Sequence, residues 1–254
     1  MKLNLRTIKS TIFVSTLATL LIATHLPSNG NKNAAATPVA AKEVTATHTS
    51  AMAALYTQLA LDSAGLSQEA FDYALAGYEQ LLQAGKIKNE DILTIVDFSR
   101  PSSDKRLFVI DLQNGKLLYN TLVSHGRNSG KGQATAFSNA PNSFKSSLGF
   151  YVTGGTYKGE HGYSLRLNGE EKGINDNALS RGIVMHCADY VNEKLVQSQG
   201  YIGRSLGCPA IPTNVHKKII TAIKDGSCLF LYSSDKRYIA QSKIIKLTKG
   251  VMNS

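Results

Sequence analysis

The stretch Arg106-Leu107-Phe108-Val109-Ile110-Asp111-Leu112-Gln113-Asn114-Gly115-Lys116-Leu117-Leu118-Tyr119-Asn120-Thr121-Leu122-Val123-Ser124 decides the fold class. Two runs rich in aliphatic and aromatic residues flank Asn114-Gly115, a dipeptide that supplies the two positive φ angles of a tight turn, so Arg106 to Leu112 and Lys116 to Ser124 are expected to pair as a hairpin. The strand signal recurs on both sides, at Leu93 to Phe98 and then at Gly149 to Thr153, Tyr163 to Leu167, Gly182 to Ala188 and Ser227 to Tyr232. About 150 residues of mostly short strands are enough for one closed or sandwiched β-domain with its own core. One helix interrupts the pattern: Asn214 is expected to cap a segment that buries Val215, Ile219, Ile220 and Ile223 and ends at Gly226.

Upstream of Ile92 the period is helical. Apolar positions from Met52 to Leu61 fit one helix, and Ser67 is placed to cap a second that buries Phe71, Ala74, Leu75, Tyr78, Leu81 and Leu82 and stops before Gly85. Two short helices bury little surface alone, so they are expected to pack on the domain that follows. Residues 27 to 50, rich in Ala, Thr, Asn and Pro, read as a flexible linker. Before them, Lys2, Arg6 and Lys9 precede an apolar stretch from Thr11 to Ala23, too short to span a bilayer comfortably. The division expected is therefore a signal peptide or membrane anchor over 1 to 26, a linker over 27 to 50, a helical extension over 51 to 90 and a mainly β domain over 91 to 250. The chain is expected to be exported.

Residues 1 to 40 hold four basic and no acidic side chains, so the net charge of +10 falls to +6 without them. A basic surface outside the cytoplasmic membrane suits an anionic polymer, and no nucleic-acid motif or arginine stripe accompanies it, so no nucleic-acid partner is expected. Three cysteines, Cys187, Cys208 and Cys228, are too few for a disulfide scaffold and odd in number, so at least one is expected to be free.

Cys208 has the surroundings of a reactive thiol. It lies in Gly203-Arg204-Ser205-Leu206-Gly207-Cys208-Pro209-Ala210, 22 residues after His186. A thiol attacks as thiolate and needs a base, which assigns the nucleophile to Cys208 and general base to His186. Gly207 permits a tight turn that uncovers amide N–H groups, so the Gly207 and Cys208 amides are the expected oxyanion donors, with Ser205 supporting the loop. On a strand His186 shares a face with Val184 and Ala188, which turns Cys187 toward the core. His125 and His161, in the glycine-flanked Ser124-His125-Gly126 and Glu160-His161-Gly162, either line the same cleft or serve as turn and core hydrogen-bonders. These histidines with Cys208 and Glu160 also permit a zinc-peptidase reading, but no His-Glu-x-x-His or paired-cysteine spacing supports it, and no metal is expected.

At these residues the chain resembles the L,D-transpeptidase family of the YkuD type, and within it the murein branch that carries Gly-Arg-Ser-x-Gly-Cys-Pro-Ala. Ser124 to Gly130, Phe137-Ser138-Asn139, Ser146 to Tyr151 and Asn175 to Ala178 are similar to that branch as well, so the resemblance runs from about Leu93 to Tyr232. It implies a β-sandwich or barrel catalytic domain with one or two helices, acting without a cofactor on peptidoglycan stem peptides in the periplasm or cell wall. It implies that a Cys208 thioester forms 3-3 cross-links, with trimming of stem peptides, or a wall-binding module without catalysis, as the alternatives. A wall-anchored lipoprotein is a further candidate acceptor, and the chain is expected to be a monomer. Two positions depart from the family's usual pattern. Cys187 replaces the small residue that follows the histidine, which leaves open a disulfide to Cys208 or Cys228. Ala210 stands where an Arg or Asn would grip a substrate carboxylate, so Arg204 or Arg181 becomes the candidate for that contact.

Overall fold

The computed structural model describes residues 53–246, so the expected signal segment, the linker and the start of the first helix lie outside the described residues. Residues 53–58 are helical, followed by α1 (Gln68–Gln83), β1 (Ile92–Asp97), β2 (Leu107–Asp111) and β3 (Lys116–Thr121). A 3₁₀ turn at Arg127–Ser129 leads to β4 (Gly149–Gly159), β5 (Gly162–Gly169) and β6 (Val184–Cys187). The chain then forms α2 (Glu193–Gln199), β7 (Ala210–Ile211), α3 (His216–Ile223), β8 (Cys228–Tyr232) and α4 (Lys236–Gln241). The strands make a mixed eight-stranded sheet in the order β3-β2-β1-β8-β4-β5-β6-β7. Its two edges meet where the chain leaving β3 turns to β7: the Ser124 N–H donates to the Ala210 carbonyl at 2.8 Å. The domain is thus mainly β, a sheet curled nearly into a barrel.

α1 forms for the reasons the sequence supplies. The Ser67 hydroxyl accepts from the Ala70 N–H at 3.2 Å, and Phe71, Ala74, Leu75, Tyr78 and Leu81 are buried while Leu82 is only half-buried. Gly77 lets the helix lie close on the sheet, because a Cβ there would stand 2.1 Å from Phe150 Cζ. These helical residues share one continuous core with Ile95, Phe108, Phe150 and Phe230. α4 is held through the buried Glu171, whose carboxylate accepts from the Phe150 N–H at 2.8 Å, from Tyr238 Oη at 3.0 Å and from Ser242 Oγ.

Local chemistry overrides the sequence reading at several points. In the hairpin only Gly115 has positive φ, +58°, and Asn114 does not. The Asp111 carboxylate accepts from both the N–H and Nδ2 of Asn114 at 2.8 Å, and the Leu112 N–H is drawn to Asp91 O at 2.7 Å, so four residues rather than two connect the strands. The first helix ends at residue 58 rather than Leu61, because Ala60 turns left-handed at φ +49° and buries Leu61. Asn214 does not cap α3; Val215 occupies that position without a side-chain bond, and Pro212 O accepts from the His216 N–H at 3.1 Å. β4 runs past the expected end at Thr153 to Gly159, through an irregularity between Thr153 and Thr156 that holds Gly154-Gly155. α2, α4 and β7 carry no readable period: α2 buries nothing, α4 buries only Tyr238, and β7 is two residues long.

Candidate active site

β7 is short, but it positions the candidate nucleophile. It runs parallel to β6 with His186 opposite Ala210 and Cys187 opposite Ile211. Two residues back along both chains, the Val184 N–H donates to Cys208 Sγ at 3.5 Å, and the thiol points to Gly182 O at 3.7 Å. Cys208 lies in the bend just before β7, and its sulfur reaches the backbone at Val184, two residues before His186 and about 6.6 Å of strand rise from it. No hydrogen bond joins Cys208 and His186 among the described residues. Contacts between a nucleophile and its base often tighten only when substrate arrives.

The imidazole is oriented by backbone. His186 Nδ1 lies 2.8 Å from the carbonyl of Cys187, and because a carbonyl only accepts, Nδ1 carries the proton and the Nε2 lone pair is left to act as a base. Burial lowers the His186 pKa below the ordinary imidazole value, opposed by that carbonyl and reinforced by the neighbouring His161. Burial raises the Cys208 thiol, with the Val184 N–H and the Arg181 guanidinium pulling against it. Both shifts favour the neutral form of their group.

The turn that presents Cys208 is built by Ser205 and Gly207. Ser205 Oγ donates to Cys208 O at 2.6 Å and accepts from the Gly207 N–H at 3.1 Å. That second bond occupies one of the two amides expected to stabilise an oxyanion. The Cys208 N–H, like that of Leu206, has no hydrogen-bond partner among the described residues. Gly207 sits at φ +130°, and its carbonyl accepts from Ser146 Oγ at 3.1 Å. The loop is joined to the chain after β3 by Ser205 N–H to His125 O at 3.0 Å and Arg127 N–H to Ser205 O at 2.7 Å.

The remaining candidates divide. Arg181 spends its guanidinium on the loop over residues 138–147, donating to Ser138 O at 2.9 Å, Ser147 Oγ at 2.5 Å, Ser143 Oγ at 3.2 Å and Lys145 O at 2.8 Å. Arg204 is exposed and donates from Nη1 to Arg127 O at 3.1 Å and Gly130 O at 3.2 Å. His161 stacks on His186 with ring centroids 4.2 Å apart. His125 is fully buried away from solvent, where both ring nitrogens are engaged: Nδ1 accepts from Arg106 Nη2 at 2.8 Å and Nε2–H donates to Gly130 O at 3.2 Å. Cys187, assigned to the core by strand alternation, is instead half-buried, because β6 lies beside the open hairpin tip and its Sγ donates to His161 O at 3.6 Å. All three cysteines are free thiols.

A family model for the L,D-transpeptidase catalytic domain matches residues 62–232. The chain belongs to that family. No match was found among curated proteins. Among solved structures, an L,D-transpeptidase from Mycobacterium smegmatis is 14% identical, with 56% of this chain covering 58% of that one at a TM-score of 0.35. The helical cell shape determining protein Pgp2 from Campylobacter jejuni is 16% identical, 69% of this chain covering 61% of that one at 0.39. L,D-transpeptidase 3 from Mycobacterium tuberculosis is 11% identical, 56% covering 61% at 0.36. The chain thus spans less than two thirds of the length of each of these proteins.

Sequence reasoning missed one neighbour of Cys208 in this L,D-transpeptidase domain. Burial raises the Tyr190 phenol above its ordinary value, with Ser124 pulling against it and Cys208 adding to the rise. The Tyr190 ring also packs where a Cβ on Gly203 would fall, 2.5 Å from Tyr190 Cβ, a closeness that the Gly203 in the motif could have signalled.

The buried His125 has a measurable consequence. Burial, with Arg106 as the second cause, lowers its pKa to about 4. Between that value and the ordinary imidazole range the unfolded chain binds the proton and the folded chain does not, so stability is present at neutral pH and is lost as pH falls through this window. The loss is about 3 kcal/mol. Urea midpoints measured from pH 7 to pH 4 should fall more steeply for the wild type than for His125→Gln; parallel curves would refute the assignment.

Proposed function

We propose that this chain is an exported, cysteine-dependent acyltransferase that acts without a cofactor on peptidoglycan stem peptides. The observation that carries the reading is the β6–β7 pairing, which brings Cys208 Sγ onto the Val184 N–H, two residues before His186, with the Cys208 amide unpartnered among the described residues. His186 Nε2 takes the Cys208 proton as Sγ attacks the carbonyl of the L-centre of the third stem residue. The Cys208 N–H donates to the oxyanion, a contact worth about 3 kcal/mol in such sites. Collapse expels the terminal D-alanine amine, which takes the proton from His186 and leaves a thioester on Cys208. An amine of a neighbouring stem then attacks, forming a 3-3 cross-link and freeing the thiol; the lysine of a wall-anchored lipoprotein is a chemically equivalent acceptor. Arg204, with Nε and Nη2 unengaged among the described residues, supports the grip on a substrate carboxylate that Ala210 lacks.

The test incubates the purified chain with disaccharide tetrapeptide and follows products by mass spectrometry, with Cys208→Ala alongside. Cross-linked dimer formed only by the wild type is expected. Released D-alanine without dimer would assign a carboxypeptidase instead. No product from either protein would leave a wall-binding module, and product from both would remove Cys208 from the chemistry.

A further inference from the structure

We propose that His161 is a positioning residue for the base: carried on the tip of the β4–β5 hairpin, its ring stacks on the His186 imidazole and fixes the plane in which the thiol proton is received. The proposal rests on His186 acting as base toward Cys208. One in-plane hydrogen bond, from Nδ1 to the Cys187 carbonyl, sets the tautomer of His186 but leaves the ring free to tilt about that contact. The His161 ring supplies the missing restraint, with centroids 4.2 Å apart and planes 20° from parallel.

The hairpin is built to hold this ring in place. Gly159 pairs with Gly162, so Glu160 and His161 form its two-residue tip, and Gly162 takes the left-handed conformation at φ +75° that closes it. The tip is tied back to the catalytic strand, since the His161 carbonyl accepts from Cys187 Sγ at 3.6 Å, one residue beyond the base. The exposure of the two rings fits this arrangement: His186 is only 3% exposed, whereas His161 lies open to solvent. The outer ring therefore shields the inner one and adds to the burial that, with the charge His161 carries when protonated, disfavours imidazolium at His186. The other titratable or charged groups about the pair are Glu160 beside His161 at the tip, Cys187 on β6, and Cys208, whose sulfur feels Arg181 and itself bears on Tyr190.

The test compares the full chain with His161→Ala, His161→Phe and Cys208→Ala, measuring kcat, KM and the pH dependence of kcat/KM. His161→Ala should lose about tenfold in kcat with KM changed by no more than a factor of about two, the pattern of a displaced base rather than a lost substrate contact. His161→Phe keeps an aromatic stack and should recover most of the lost kcat. In both variants the acid limb of kcat/KM should move to higher pH, because the neighbouring charge is gone and, in the alanine variant, the cover as well. An unchanged kcat, an unmoved acid limb, a phenylalanine variant as poor as alanine, or an effect confined to KM would each overturn the proposal. Turnover by Cys208→Ala would instead overturn the reading on which it rests.

Discussion

His186→Gln is expected to lower kcat/KM by about 10²–10⁴-fold, the range a positioned general base contributes. The residual activity should continue to rise with pH beyond the point where the wild type levels off. The wild-type acid limb is expected to report the imidazole, whose pKa burial and the stacked His161 leave below the ordinary value against the opposing pull of the Cys187 carbonyl. Activity is therefore held across neutral pH and lost as pH falls through that depressed value, since protonated His186 cannot take the Cys208 proton. Glutamine fills similar space and can still bond the Cys187 carbonyl through its amide, but it offers no basic lone pair. Attack then waits on direct ionisation of a thiol whose pKa burial has raised. Alkylation by iodoacetamide separates the two roles: His186→Gln should still be alkylated on Cys208 at high pH, whereas Cys208→Ala is not. A variant with glutamine at 186 and wild-type turnover would leave His186 outside the chemistry.

The same residues show how much a sequence can disclose. The β class was readable because Leu107 to Asp111 and Leu93 to Val96 are near-continuous apolar runs with turn residues at their ends, and α1 because Ser67 and a regular apolar stripe mark its start and buried face. Cys208 and His186 stood out through chemistry rather than period. What joins them did not. β7 is two residues long, and a parallel pairing across 22 intervening residues has no local signature. The partner of the Gly207 N–H was equally hidden, because a serine two residues upstream can cap its own turn or face a ligand, and only the folded loop decides. Arg106 and His125 are a further case. The sequence left His125 between the cleft and a core hydrogen-bonder, and the fold decides for the core by burying it against Arg106, itself bonded to Val123 O and Arg100 O.

Gly207→Ala is expected to cost about 100-fold in kcat/KM through displacement of the Cys208 amide and thiol, together with about 1–3 kcal/mol of stability for the strained backbone. At φ +130° an L side chain is disfavoured whatever the space around it. Here the space is also closed: a Cβ would lie 2.9 Å from the Lys145 carbonyl and 3.0 Å from Ile183 Cδ1. The carbonyl cannot retreat freely, because it accepts from Arg181 Nη2 at 2.8 Å, and the Gly207 carbonyl is held by Ser146 at 3.1 Å. The turn must therefore rotate, which breaks the Ser205 bond to the Gly207 N–H and swings the Cys208 N–H away from the developing oxyanion. Gly200→Ala provides the comparison. Gly200 also has positive φ, +81°, but closes α2 with nothing within 4 Å of the added Cβ. Its replacement should cost stability of about 1 kcal/mol and leave turnover intact. Paired urea denaturation and product assays distinguish the two. Equal activity in the two variants would mean that the turn geometry at Gly207 is not what places the nucleophile.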